Sequence, residues 1–253
     1  FVMDLDLSEN KFGTSHVDSI ARTLSSVAMR DGCFPFRQLL LNDCSLGPKG
    51  VATLCDALSH CAPRALQSLS FERNCHLGLY EKMSGTSAFR ELSSSLAFAI
   101  TTPGFGLRAL YLAGDGNQHT LSEFLPPAVV ALARNTTLQV LDVRNNKAGA
   151  ELGHSLGKAL AANSTLLELQ VDGNQLGVAG LRALGAGLDR NRTLAFFPMP
   201  ERDVSAAHAG NASQKAMLDD VVESIADVMA HNLEAWKAAR RAEGHGSSRS
   251  VSL

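Results

Sequence analysis

The chain has 253 residues, 45% of them apolar and 19% charged, which is ample for one substantial core or one elongated repeat array. Basic side chains number 23 against 25 acidic ones, and the formal charge of −2 gives no overall pull toward nucleic acid or membrane. Aromatics are only 6%, with a single Trp236, so the core must be aliphatic, and no run of about 18 uninterrupted apolar residues predicts a membrane span.

Val2 to Asn10 opens the chain in a frame L-x-x-L-x-L-x-x-N, with Val accepted for Leu. This start lacks the basic leader of a signal peptide and lies inside a repeat, so a fragment of a longer protein is expected. Val17, Ile20 and Leu24 then recur at i, i+3, i+7, one face of a helix. Phe36 to Cys44 repeats the frame, and Val51, Leu54 and Leu58 repeat the helix face. Leu66 to Asn74 is the third copy, and Leu107 to Asp115 the fourth. The step between them is the longest, and Gly78–Ser87 inside it is predicted to form a surface loop. Leu138 to Asn146 and Leu166 to Asn174 are the cleanest copies, 28 residues apart. The first is followed by Leu152, Leu156 and Leu160 at i, i+4, i+8, the second by Leu181, Leu184 and Leu188 at i, i+3, i+7. A degenerate seventh copy starts at Leu194 with Phe197 and Met199.

Self-similarity at this period is the signature of a solenoid. Leu141 and Val143 are two apart, so both point to one face of a short strand. Strands side by side form one wall and helices pack behind them. A helix is wider than a strand, so the stack bends toward its strands. The unit resembles the ribonuclease-inhibitor class of leucine-rich repeats over about residues 2–200. The resemblance implies an α/β horseshoe with parallel strands on the concave face and helices on the convex face. It also implies that the ninth residue satisfies backbone groups at the turn, a ladder built from Asn10, Cys44, Asn74, Asn146 and Asn174. Asp115 holds that place in the fourth copy, with Asn117 two residues on as a rival.

The array is assigned to residues 1–200. Pro198 and Pro200 mark the last strand, because proline cannot donate to a sheet ladder. Met217, Val221, Val222, Ile225, Val228, Met229, Leu233 and Trp236 then recur at three- and four-residue steps. This predicts a helical segment over 201–242 that caps the last repeat or joins a second chain. The Ser/Gly-rich stretch 243–253 is expected to be disordered. An array ending in Phe196-Phe197-Pro198-Met199-Pro200, then Asp203 and a long helix, resembles the CARMIL family of actin capping-protein regulators. That resemblance implies a regulator of actin filament assembly whose helical segment supports a homodimer. The family's pleckstrin-like domain and its capping-protein-binding motif have no counterpart in these residues.

The concave face is the usual binding surface of a solenoid. Its outward positions are Asp6, Leu40, Ser70, Tyr111, Asp142 and Gln170 in one column and Ser8, Asn42, Glu72, Ala113, Arg144 and Asp172 in the next. Glu9, Asp43, Arg73, Gly114, Asn145 and Gly173 run beside them. Tyr111 is the predicted anchor, with Arg73, Glu72, Asp142, Arg144 and Asp172 as partner-binding candidates.

Other motifs point nowhere specific. Cys55, His60, Cys61, Cys75 and His76 lack the tight paired spacing of a zinc site, so no metal is expected. The five cysteines, Cys33, Cys44, Cys55, Cys61 and Cys75, read as buried, reduced thiols of an intracellular protein. Four N-x-[ST] triplets begin at Asn135, Asn163, Asn191 and Asn211, and the first three share one repeat position that suits a helix end better than a glycan. Gly104-Phe105-Gly106 and Gly114-Asp115-Gly116 are too short to cradle phosphate, and no catalytic frame accompanies the Ser, His and Asp residues. The basic Lys237–Arg241 cluster reads as a solvated helix end.

The sequence therefore predicts a cytoplasmic protein-interaction scaffold without catalysis, cofactor or metal. A protein partner docks on the concave face, and a homodimer through the C-terminal helix is the second partnership. Nucleic acid and stable membrane insertion are not expected. The alternatives are the sensing array of a NOD-like innate-immune receptor and an enzyme inhibitor of the ribonuclease-inhibitor type.

Overall fold

The computed structural model describes residues 3–31, 36–61, 64–76, 87–102, 105–209 and 212–247. The predicted loop at Gly78–Ser87 lies outside them, apart from Ser87. So do Cys33, the side chain of Cys61, Asn211 and the last six residues.

Six strands form one parallel sheet in chain order: β1 Met3–Asp6, β2 Phe36–Leu40, β3 Ser68–Ser70, β4 Ala109–Tyr111, β5 Val140–Asp142 and β6 Glu168–Gln170. The register runs Leu5, Leu39, Leu69, Leu110, Leu141, Leu169, each the partner of the next. From Leu39 onward these leucines are buried. The frame thus stacks each leucine on its equivalent, and its alternation sends the intervening side chains to the opposite face.

The helices α1 Thr14–Asp31, α2 Gly47–Cys61, α3 Ser87–Thr101, α5 Gly149–Leu160 and α6 Gly177–Leu188 follow their strands. Their predicted apolar faces are buried, including Val17, Leu24, Leu54, Leu58, Leu152, Leu156, Leu181 and Leu184. The fourth repeat departs from the pattern. A short α4, Leu125–Val129, lies between 3₁₀ turns at Ser122–Phe124 and Val130–Arg134. Pro126 and Pro127 open α4, where a missing N–H costs nothing.

Two asparagine ladders tie the repeats together. In the first, Asn74 Oδ1 accepts the Cys44 N–H at 3.0 Å while its Nδ2 donates to the carbonyls of Leu41 and Glu72. Cys44 donates its thiol to the Leu7 carbonyl, so it fills the asparagine place. Asn146 and Asn174 repeat the arrangement. Asp115 does not. Its carboxylate turns back on Asn117 N–H, His119 N–H and the His119 ring, a local turn made possible by the extra residues of this repeat.

The second ladder stands at the helix ends. Asn135 donates to the Ile100 carbonyl, Asn163 to those of Leu132 and Asn135, and Asn191 to those of Leu160 and Asn163. Each Oδ1 also receives the N–H groups two and three residues on, as Asn163 does from Thr165 and Leu166. All three side chains are buried, and their amide nitrogens are committed to the ladder.

The array closes as a cap. Phe196 pairs with Glu168 through one parallel bridge, and the prolines end the sheet there. The helical segment is two helices rather than one, α7 Glu201–Ala207 and α8 Ala212–Ser247. The backbone of α8 stays helical to Ser247, beyond the boundary at 242. A helix once formed extends at one hydrogen bond per residue, and two glycines at about 1 kcal/mol each do not stop it. Leu218 and Ile225 of α8 are fully buried, while Met217 of the predicted stripe is 39% exposed. The stripe turns inward through Ile225, with Val221, Val222, Val228 and Met229 packed against the core, and only its first position differs, Leu218 taking the inward place expected of Met217; Ile225 and Val221 pack on α6 at Gly185. Asn232 of α8 donates to the carbonyls of Asn191 and Leu194, completing the second ladder.

Candidate functional site

The outward strand positions form the concave wall. Tyr111 stands in its middle column, beside Ser70 on β3 and Asp142 on β5. Its ring is half-buried, and its hydroxyl has no hydrogen-bond partner among the described residues. Partial burial and the carboxylates of Glu168, Asp142 and Glu72 push the phenol above its ordinary range.

The arginines are committed elsewhere. Arg73 grips Asp43 through both Nε and Nη2, the shortest contact 2.7 Å, and reaches Glu72 at 3.2 Å. The hydrogen bonds to Asp43 hold its guanidinium firmly charged. The pair is built by the frame. Asp43 and Arg73 occupy the same eighth position in neighbouring repeats, where the backbone turns with φ of 53° at both. Glu9 and Asn145 also show positive φ there, and Gly173 supplies the same turn without strain. Arg144 forks onto Asp142 of its own strand, with the closest approach 2.6 Å.

Asp142 was predicted as a contact residue, and the structure corrects this. It is 1% exposed, because Arg144 lies over it and Tyr111 and Gln170 flank it in register. Ser70 is likewise buried and donates to Asn42. Asp172 accepts the backbone N–H groups of Arg202 and Asp203, so it caps the start of α7 as well as facing the wall. Of the predicted set, Tyr111, Arg73, Glu72 and Arg144 form the accessible centre.

Two residues of this wall lay outside the predicted set. Glu168 and Phe196 occupy the third position of the frame, which alternation places on the same face as Tyr111. Glu168 accepts a bond from Gln170. Phe196 is 38% exposed and meets Trp236 of α8 edge-on, with ring centroids 5.0 Å apart, while the Arg240 guanidinium lies over the indole, 5.3 Å from its centre.

Residues 134–151 and 162–185 match the family model described as Leucine Rich repeat. The wall is that of a leucine-rich-repeat solenoid. These matches cover the two cleanest copies, and the same register carries the remaining strands of the leucine-rich-repeat sheet. The comparison with curated proteins finds no match. Among solved structures the chain is similar to a tropomodulin C-terminal domain from Caenorhabditis elegans, at 13% identity and TM-score 0.48, over 89% of this chain and 98% of that one. It is also similar to leiomodin-1 actin-binding site 2, at 16% identity and TM-score 0.44, over 64% of this chain and 98% of that one.

Among the described residues no three His, Cys, Asp or Glu side chains gather to hold a metal ion. Cys44, Cys55 and Cys75 are buried free thiols, and burial pushes Cys55 far up. No helix among them is long and apolar enough to cross a membrane.

Proposed function

We propose that this leucine-rich-repeat chain is a non-catalytic scaffold that offers its concave wall to a protein partner. The observation that carries the reading is Tyr111, an aromatic side chain left accessible at the centre of a rigid sheet, with a hydroxyl unpaired among the described residues. Buried amphipathic aromatics dominate protein interfaces, and a wall fixed by two ladders loses little freedom on binding. The ladders hold the backbone, and Asp43 and Asp142 hold the arginines beside it.

The specific form of the proposal is a cytoplasmic regulator of actin filament assembly of the CARMIL kind. Its support is the sequence pattern from Leu194 to Trp236, together with the cap that this pattern builds. Since the α8 stripe is spent on the last repeat, a homodimer through α8 would use its outward side, beginning with Met217.

The test is pull-down of purified actin monomers, capping protein and cell extract by the wild-type chain and by Tyr111→Ala. Loss of a partner on substitution supports the concave wall. Partners retained in full by Tyr111→Ala refute it. Actin and capping protein both failing to be retained, while another protein depends on Tyr111, removes the actin version and keeps the scaffold.

A further inference from the structure

We infer that the first ladder contains a binding site for one buried water molecule, between the third and fourth repeats, held by the Phe71 carbonyl, the Asn74 N–H and the Thr120 hydroxyl. A rung of this ladder gives a side-chain hydrogen to the carbonyl at the sixth frame position of the repeat before. The carbonyls of Leu7, Leu41, Leu112 and Val143 receive Cys44, Asn74, Asn146 and Asn174 in this way. Phe71 holds the sixth position of the third repeat, and no side chain among the described residues donates to its carbonyl. The accepting half of the rung breaks at the same place. Cys44 N–H goes to Asn74 Oδ1, and Asn174 N–H goes to Asp203. Asn74 N–H meets no side-chain acceptor among the described residues. The cause is Asp115, whose carboxylate is held by the Asn117 and His119 N–H groups at 2.7 and 2.9 Å.

A second, independent observation marks the same spot. Thr120 is 1% exposed, and its hydroxyl has no hydrogen-bond partner. Phe71, Asn74 and Thr120 together line a cavity of about 10 Å³. That is about the room one water needs, and a buried water typically makes about three hydrogen bonds. The donor and acceptor pattern selects the ligand. An N–H needs a lone pair, which excludes a metal cation or ammonium. A carbonyl needs a hydrogen, which excludes a halide. Water supplies both, and the threonine hydroxyl rotates to give or take the third bond. The water thus does the work of the missing amide, and the site does not depend on the docking reading.

Two measurements on the whole chain test this. A crystal structure that shows ordered water is expected to place one within about 2.7–3.2 Å of Phe71 O, Asn74 N and Thr120 Oγ1. In solution, the Asn74 amide of the isotope-labelled chain is expected to show a nuclear Overhauser contact with a long-lived water. The Cys44 amide, served by an asparagine side chain, is expected to show none. Thr120→Val keeps the shape of the side chain and removes its hydroxyl. With an unchanged circular dichroism spectrum, it is expected to keep the Asn74 contact, because the N–H and the carbonyl still hold the water. A contact that vanishes in Thr120→Val was relayed through the hydroxyl proton and overturns the inference. So does a crystal structure in which the Asp115 or Asn117 side chain reaches the Phe71 carbonyl, or in which the cavity holds no water. An Asn74 amide without any water contact overturns it as well.

Discussion

Asp203 accepts the backbone N–H of Asn174 at 2.9 Å, one turn past the point where the asparagine ladder runs out of asparagines. A second carboxylate oxygen takes the Gln175 N–H. In the earlier repeats an asparagine receives these bonds and passes its own amide to carbonyls of the repeat before. A carboxylate has no hydrogens to pass on. Asp203 therefore terminates the ladder, and α7, which carries it, ends the array rather than extending it.

Replacing Asp203 by alanine should destabilise the chain by about 2 kcal/mol, because two buried N–H groups lose their acceptor. Burial raises the Asp203 carboxyl above its ordinary range despite these bonds. The native state therefore holds the proton more tightly than the unfolded state. The contribution of this group is fully present below the unfolded value of 3.8 and is lost as pH rises through the higher native value. Denaturant titrations of wild type and Asp203→Ala should show the wild-type advantage shrinking from the acid range to pH 7. An advantage that grows with pH contradicts the assignment.

Asn163 is 5% exposed, and both ends of its amide are bonded. Asn163→Ala should cost about 2–3 kcal/mol, several times more than a surface asparagine change. The same burial predicts that Asn163, despite its N-x-[ST] triplet, carries no glycan when the chain is expressed through a secretory pathway. Mass spectrometry before and after glycosidase checks this directly.

Gly157 packs backbone to backbone against the next helix. A Cβ built there would stand 2.1 Å from the Ala183 carbonyl oxygen, and Gly187 is equally tight against Gly157. Gly157→Ala should therefore force α5 and α6 apart and cost about 3 kcal/mol, although alanine is the better helix former. Thermal melting compared with Lys158→Ala and Lys158→Gly, at an exposed position of α5, separates this clash from helix propensity.

Arg144 and Arg73 look alike in the sequence but should differ in what their loss does. Arg144→Ala strands a carboxylate whose side chain is 2% exposed, so about 2 kcal/mol of stability should go with it. Arg73→Ala leaves Asp43, 37% exposed, to water and should cost below about 1 kcal/mol. Equal losses in urea denaturation would mean that Asp142 is hydrated in solution.

The sequence by itself determined the repeat, its period and its register. A leucine that returns in a fixed frame has one way to bury itself in every layer, so Leu39, Leu69, Leu110, Leu141 and Leu169 had to stack. It also determined which side chains leave the core, because a strand alternates. Tertiary structure decided what happens to them there. Asp142 and Tyr111 are neighbours in one outward column, yet only Tyr111 is accessible, because an arginine two residues on folds over the aspartate. Asp115 shows the same limit within the ladder. It holds the ninth place, but the extra residues after it let the carboxylate satisfy its own turn first. The period of α8 showed a stripe, and packing buried its Ile225 but took Leu218 in place of Met217. Periodicity follows from backbone geometry, which every residue shares. Pairing between side chains depends on where distant segments meet, and no spacing in the chain records that.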